Sequence, residues 1–379
     1  MGVACKAKNP KLSHCKRIGQ PVAFIKKLNF TSLLGKVTLE ERVLRQGSQT
    51  VRPLGRLLGL KPRGSTLNLQ RAVVDFGAEE SFARASERLE HHHQLKLSES
   101  TIRKITLKHA SNIEQISTVE GSSGLLPAKG PESIVAEIDG TMLPVVTTNP
   151  GDDNNARKHR EYQWKELRLA AARALDKVDA TYAVSGGVGV EQAGYAWAQA
   201  VKKAGWAIDT QIHAVGDGAP WIYEQYKQMF GSSPGRYLLD FYHVSEYLHA
   251  AGNETAALCQ NWVKEQENRL LEGDSEGVLK SLKQHLEEES LEDSKAPVRK
   301  AHRYLSSRKD QLDYPEAKAE GLPLGSGMIE GAHRHVLQNR LKKSGAWWKQ
   351  GNLYAMAHLR VARANGEEDQ YWKDLRKAA

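Results

Sequence analysis

Apolar strand-like runs that end in a carboxylate constrain this chain more than any other feature. Asp139 ends SIVAEIDGT, Asp217 ends the apolar stretch of QIHAVGDGAPW, and Glu330 opens the helix-like GSGMIEGAHRHVLQNRLKK. A continuous apolar strand is buried on both faces and belongs in a sheet covered by helices. A charge is costly there and is expected at the strand's end. The glycine after each aspartate lets the backbone turn away. Two such strands side by side, crossed by a helix bearing a glutamate, would gather three hard oxygen ligands around a divalent cation. Taken singly, each has an ordinary explanation: Asp-Gly is a turn dipeptide, and a glutamate in a first helical turn is favoured by the helix dipole.

At 379 residues the chain has room for two or three domains. Its net charge of +9 is unevenly spread: residues 1–70 carry fourteen Lys/Arg against two acids, residues 71–130 eight of each, and residues 131–379 carry 32 against 35. A basic arm on a near-neutral body suits a polyanion, because neutralising phosphates releases condensed counterions. The alternative is a solvated tail. Cys5, Cys15 and Cys259 form neither a disulfide framework nor a CxxC pair. A reducing cytoplasm is expected. His91, His92 and His93 point in different directions on a helix and are expected as an exposed patch. No signal peptide and no run of eighteen apolar residues is present, so no membrane partner is expected.

Residues 1–70 form the basic amino-terminal arm. Residues 71–120 predict two helices with a break. Phe82, Ala85 and Leu89 share a face of the first, Ser98 caps the second, and Leu97 and Ile102 have the spacing of a hydrophobic staple. With Arg103, Lys104 and Lys108 on the second helix, the pair resembles a helix-turn-helix; an ordinary helical hairpin stays open. A Gly/Ser/Pro-rich linker covers 121–133. Residues 134–250 then predict strand, strand, strand, helix, strand, helix, strand, helix, an α/β order on a mixed sheet. An all-helical insertion follows over 251–322, and 323–379 completes the core with carboxy-terminal helices.

EIDGT with Asp139, GDGAPW with Asp217, DFYH from Asp240 to His243, the helical interruption and GSGMIEGAHRHVLQNRLKKSGAWW with Glu330 together resemble DDE-type insertion-sequence transposases of the Kra type. That group is related to mutator-like transposases. The resemblance covers roughly residues 134–360, with a weaker likeness over 33–110. It implies an α/β fold: an RNase H-like mixed-sheet catalytic core interrupted by an all-helical insertion and preceded by a mostly helical amino-terminal DNA-binding region. Members often carry a cysteine pair near the place where this chain reads ERVLRQGSQTVRPLG, so no zinc is predicted.

The resemblance implies Asp139, Asp217 and Glu330 as catalytic carboxylates and metal ligands. They would hold Mg²⁺, with Mn²⁺ as substitute, for phosphodiester cleavage and strand transfer. Asp240 and His243, three residues apart, are expected to brace the strand beside Asp217 or, for the histidine, to reach the scissile phosphate. Arg334, Arg340, Lys342 and Lys343 form a basic stretch for the DNA backbone, with Arg340 the foremost phosphate candidate. Trp347 and Trp348 would stack on an unpaired base or fill the core. The expected partner is double-stranded DNA, both element ends and target, bound by a homodimer or higher oligomer in the cytoplasm at the nucleoid. A nuclease without strand transfer and a DNA-binding regulator that has lost catalysis are the competing functions.

Overall fold

The computed structural model describes residues 22–46, 48–119, 125–148, 159–187, 189–254 and 260–378. The first part of the basic arm, the three cysteines and the acid-bearing loop around Asp152 and Asp153 lie outside these residues.

The amino-terminal part opens with strands β1 (Val22–Ser32), β2 (Gly35–Gln46) and β3 (Gln49–Val51), which form a three-stranded antiparallel sheet. This corrects the expectation of a basic arm leading into a mostly helical region. Leu28, Phe30, Glu41 and Val43 are buried, while Lys26, Lys27, Lys36, Arg42 and Arg45 are exposed. Five of the arm's fourteen Lys/Arg are therefore exposed side chains of a hairpin. Buried Glu41 accepts from Gly55 N at 3.0 Å and pairs with Arg52, which fastens α1 (Pro53–Leu57) beneath the sheet.

Helices α2 (Leu67–Glu79), α3 (Phe82–His93) and α4 (Glu99–Val119) follow. Ala85, Leu89 and Ile102 are buried together with Leu97 packed against them, and Thr101 N donates to Ser98 Oγ at 3.3 Å, as the cap and staple spacing predict.

The central sheet follows the order read from the sequence. Strands β4 (Ser133–Thr148), β5 (Arg160–Ala174) and β6 (Thr181–Ser185) precede α5 (Glu191–Lys203), β7 (Gln211–Gly216), α6 (Pro220–Phe230), β8 (Gly235–Leu239) and α7 (Phe241–Glu254). The spatial order is β6-β5-β4-β7-β8, with β4, β5 and β6 antiparallel and β7 and β8 joined in parallel. Side chains alternate between two cores. Leu143, Val145, Leu167, Leu169 and Ala171 face one, and Ile134, Ala136, Ile138, Ala170, Ala172 and Ala174 face the other. The alanines of β5 on that second face leave room for α5 to pack closely, with Trp197 filling the space against Phe230.

Helices α8 (Gln260–Leu271), α9 (Ser275–Gln284), α10 (Pro297–Ser306) and α11 (Tyr314–Ala319) form the expected helical insertion, with its own core around Val278, Leu282, Leu305 and Tyr314. The chain returns to the sheet through α12 (Gly327–Ala332), a π-helical segment His333–Gln338, α13 (Asn339–Leu341), α14 (Gln350–Ala364) and α15 (Glu368–Ala378). Helix α14 packs on α4 and on the first sheet face, joining the amino-terminal helices to the core. Among the described residues no helix is long and apolar enough to cross a membrane.

Buried His109 of α4 links these parts, with Nδ1 2.6 Å from Tyr371 Oη and Nε2 2.8 Å from Gln70 Oε1. Burial, with Lys108 adding to it, lowers its pKa from 6.5 to about 4. The unfolded chain takes up the proton first, so stability is full above about pH 6.5 and falls as pH drops toward 4, by up to about 1.4 kcal/mol per pH unit. Urea unfolding at about pH 7 and about pH 5 is expected to show a larger loss for the parent than for His109→Gln.

Candidate active site

The parallel ladder of β4 and β7 runs as far as Glu137 opposite Val215. Two residues further on, Asp139 and Asp217 follow at neighbouring positions. Asp217 stands where β7 ends, as read from the sequence. Asp139 does not stand at a strand end: β4 continues past it to Thr148, paired with β5 throughout. It sits where β7 stops, so it is a ladder edge, rather than a strand terminus, that opens its side chain to solvent; the side chain is 42% exposed.

The Asp217 turn is held from the helical insertion. Tyr304 of α10 donates its hydroxyl to Asp217 O at 2.6 Å, and Arg308 Nε donates to Gly218 O at 2.8 Å. Gly218 has φ +80°, and a Cβ there would stand 2.5 Å from Leu239 Cδ1 and 2.7 Å from Arg308 Nε. Only glycine fits both that conformation and that space. Asp217 Oδ1 accepts from Ala219 N at 2.8 Å, which leaves Oδ2 without a described partner.

One face of β4 meets the α12 segment rung by rung. Glu137 Oε2 accepts from Ile329 N at 2.7 Å, Asp139 Oδ2 lies 3.4 Å from His333 Nε2, and Thr141 Oγ1 accepts from Gln338 Nε2 at 3.0 Å. Strand residues two apart are separated by about 6.6 Å, against about 6.0 Å for four residues of α-helix. The π-helical segment sets the last two rungs five positions apart, against four between Ile329 and His333, which keeps Gln338 facing Thr141. Single-turn π-bulges inside helices are frequent at functional sites. Arg360 of α14 donates to His335 O at 2.6 Å and Val336 O at 2.8 Å, satisfying carbonyls that an unbroken α-helix would have used.

Burial, opposed by the Ile329 hydrogen bond and aided by Asp240 and Glu330, raises the Glu137 pKa from 4.5 to about 8. It therefore carries its proton at neutral pH. Glu330 is exposed in the first turn of α12, one residue past the Glu137 rung. His333 is buried, and neither ring nitrogen has a hydrogen-bond partner. Its Nε2 lies beyond hydrogen-bond geometry from any oxygen among the described residues, with the half-open Asp139 carboxylate its nearest ionic neighbour at 3.4 Å.

Hard carboxylate oxygens suit Mg²⁺ or Mn²⁺. Among the described residues no three His, Cys, Asp or Glu side chains stand together closely enough to hold an ion. Mg²⁺ is commonly held by one or two carboxylates plus waters and phosphate oxygens. The neighbouring positions of Asp139 and Asp217 fit that requirement, with Glu330 on the crossing helix nearby.

Asp240 is buried and makes four hydrogen bonds: from Tyr242 N at 2.7 Å, His243 N at 3.2 Å, Ser326 N at 2.8 Å and the Ser326 hydroxyl. It ties the start of α7 to the loop before α12. Its backbone N donates to Gly216 O at 2.8 Å, beside Asp217. The His243 ring faces Glu246, Tyr247 and Tyr304 instead of Asp240. Glu137 and the role of His333 escaped the sequence reading. Period two from Asp139 was the available signal for Glu137.

The basic residues divide. Arg334 is exposed. Arg340 is buried, with Nε on Gly77 O at 3.0 Å and its plane near the rings of Phe82 and Trp348, so it braces α2 against the core. Lys342 stands over the Trp164 ring, and Lys343 reaches Glu79 O at 3.2 Å. Trp348 is core, donating Nε1 to Leu341 O at 3.0 Å, whereas Trp347 is half-exposed. Arg103 and Lys104 face solvent, and Lys108 lies 3.4 Å from Gln70 Oε1.

If the Glu137 rung fixes α12, Glu137→Gln keeps an acceptor for Ile329 N and leaves stability within about 1 kcal/mol. Glu137→Ala orphans that buried N–H and costs about 2 kcal/mol or more in a denaturant titration.

A family profile described as "Uncharacterised protein family (UPF0236)" matches residues 201–376, a stretch that includes Asp217, Asp240, Glu330 and His333. The UPF0236 protein TTE0402 of Caldanaerobacter subterraneus subsp. tengcongensis is 31% identical over 157 residues, covering 41% of this chain and 30% of that protein. A second relative from the same organism, 31% identical with 41% and 31% coverage, bears eleven locus designations in its name, from TTE0033 to TTE2212. The matched stretch thus spans about a third of the length of these relatives. Among solved structures, a Drosophila P element transposase strand transfer complex aligns over 78% of this chain and 91% of that one, at 10% identity and a TM-score of 0.37.

Proposed function

We propose that the chain is a DDE-type DNA transposase on an RNase H-like core, with Asp139, Asp217 and Glu330 as its catalytic carboxylates. The observation that carries this reading is the β4–β7 register, which brings Asp139 and Asp217 to neighbouring strand positions beside the helix bearing Glu330. The sheet, three antiparallel strands followed by two parallel ones, agrees with the core that the motif resemblance implies. A relative recorded at eleven loci of one genome is in keeping with a protein encoded by a mobile element.

Mg²⁺, or Mn²⁺ in its place, would be held by Asp139 and Asp217 with Glu330, and supplies activation of a water or 3′-hydroxyl and charge neutralisation at the phosphate. The chain's own residues do the positioning. Tyr304 and Arg308 fix the backbone that carries Asp217. Protonated Glu137 anchors α12 without adding another negative charge among the acids. His333 stands where it can orient Asp139. Asp240 holds the loop leading into α12. Double-stranded DNA, both element ends and target, is the substrate, engaged by a dimer or higher oligomer, with Lys108 and Arg334 among the backbone contacts.

A labelled duplex bearing the flanks of the encoding gene, incubated with a target plasmid and Mg²⁺, tests this directly. Joined product is expected; hydrolysis without joining would assign the chain to nucleases instead. Asp139→Ala is expected to reduce cleavage by more than about 100-fold while DNA affinity stays within about twofold. An unchanged cleavage rate in that variant removes the mechanism.

A further inference from the structure

Strand β4 leads away from the acidic site into a second one. Seven residues beyond Asp139, about 23 Å along an extended strand, Val146 and Thr148 reach a cleft of about 1450 Å³. Its walls come from three separate parts of the chain: the turn before α2 and the start of α4, the far end of the β4–β5 ribbon, and the segment from Lys343 to Asn352. Arg63, Arg103, Lys104, Arg160, Lys343 and Lys349 line it, against a single carboxylate among the described residues, Glu99. Of the six, only Lys343 makes a side-chain contact with an acid among the described residues. Arg63 is held at φ +60°, a left-handed conformation that is uncommon for a long side chain and that fixes where it emerges. Buried Arg340 forms part of the floor, and its Nη2 has no hydrogen-bond partner.

The same cleft has an aromatic lip. Tyr162 and Trp164 occupy one face of β5 at period two, 53% and 50% exposed, and Trp347 packs on both, with ring centroids at 4.6 Å and 6.1 Å while remaining 40% exposed. Three large rings left in water as one cluster mark a contact surface. The backbone beneath them is firm: Val146 N donates to Trp348 O at 2.8 Å and Trp348 N to Pro144 O at 3.2 Å, so the segment bearing Trp347 is laced to β4.

A groove rich in unpaired cations excludes an acid-poor apolar partner and selects a polyanion. Rings at its edge add a requirement that duplex DNA does not meet, because paired bases offer no free face. From this arrangement we infer that the cleft is a single-strand site, which holds the phosphates of an unpaired nucleic-acid segment along Arg63, Arg103, Lys104 and Arg160 and stacks its bases on Tyr162 and Trp347. The inference takes from the proposed function only that the partner is nucleic acid; it requires no cleavage. Both sites share β4, so a strand engaged here stands at a fixed separation from Asp139.

Fluorescence anisotropy in EDTA with the full chain separates this inference from the preceding one, because metal-dependent chemistry is silent there. The probes are a labelled single-stranded DNA, its RNA counterpart, an abasic DNA of equal length and a blunt duplex. The abasic strand is expected to bind about tenfold more weakly than the DNA that retains its bases, and duplex binding to be unaffected by Trp347→Ala. The DNA and RNA arms show which sugar the cleft prefers. Trp347→Ala is expected to weaken single-strand binding about tenfold with an unchanged melting curve, and Arg103→Gln with Lys104→Gln to flatten the dependence on salt. Equal affinity for intact and abasic strands, or a Trp347→Ala variant that weakens duplex binding as much as single-strand binding, overturns the inference whether or not the chain cleaves DNA.

Discussion

The hydrogen bond from Ile329 N to the buried Glu137 carboxyl joins the two halves of this molecule that the helical insertion separates. The first half supplies β4 and β7 with their aspartates, and the second returns roughly ninety residues later with α12 and Glu330. A carboxyl group inside a sheet is costly unless its oxygens are satisfied. Here the first turn of α12, where backbone N–H groups lack helical partners, provides the donor. Each group answers the other's need, and the remaining rungs at Asp139 and Thr141 follow from the alignment so set.

The insertion also contributes to the site. Its α10 reaches back with Tyr304 and Arg308 to the backbone of Asp217 and Gly218, and Asp240 clasps the loop that leads out of it. Each aspartate on the sheet is therefore positioned by a different partner: Asp139 by the α12 segment, Asp217 by the insertion. Only the sheet itself is common to both. Such division makes the geometry dependent on the whole chain being folded, in line with the long-range contacts that link α4, α14 and β4.

Much of the core was legible because its signals are local. The strand-like runs that lead to Asp139 and Asp217 and the helical spacing of Ala193, Trp197, Ala200 and Val201 set the element order without reference to partners. The amino-terminal sheet was hidden by its own exposed cations, Lys26, Lys27, Lys36, Arg42 and Arg45, which read as charge density instead of strand. The π-helical segment has no signature in the sequence, since its extra residue per turn is imposed by contact with β4 and by Arg360. Arg340 and Trp348 looked like ligand-facing groups, yet burial against Phe82 and Gly77 could be known only once α2 was brought alongside. The cleft was invisible for the same reason, being assembled from residues as far apart as Arg63 and Trp347.

The wide turn at His333–Gln338 limits how this chain can vary. Removing one residue there would restore ordinary α-helical bonding, a locally comfortable outcome, yet it would rotate everything downstream by about 100° relative to the sheet. Gln338 would leave Thr141, Arg340 would leave Gly77, and the segment laced to β4 through Trp348 would lose its alignment. Insertions and deletions are thus barred from this stretch by geometry even where side-chain identity is free to drift, so its length, more than its lettering, carries the information.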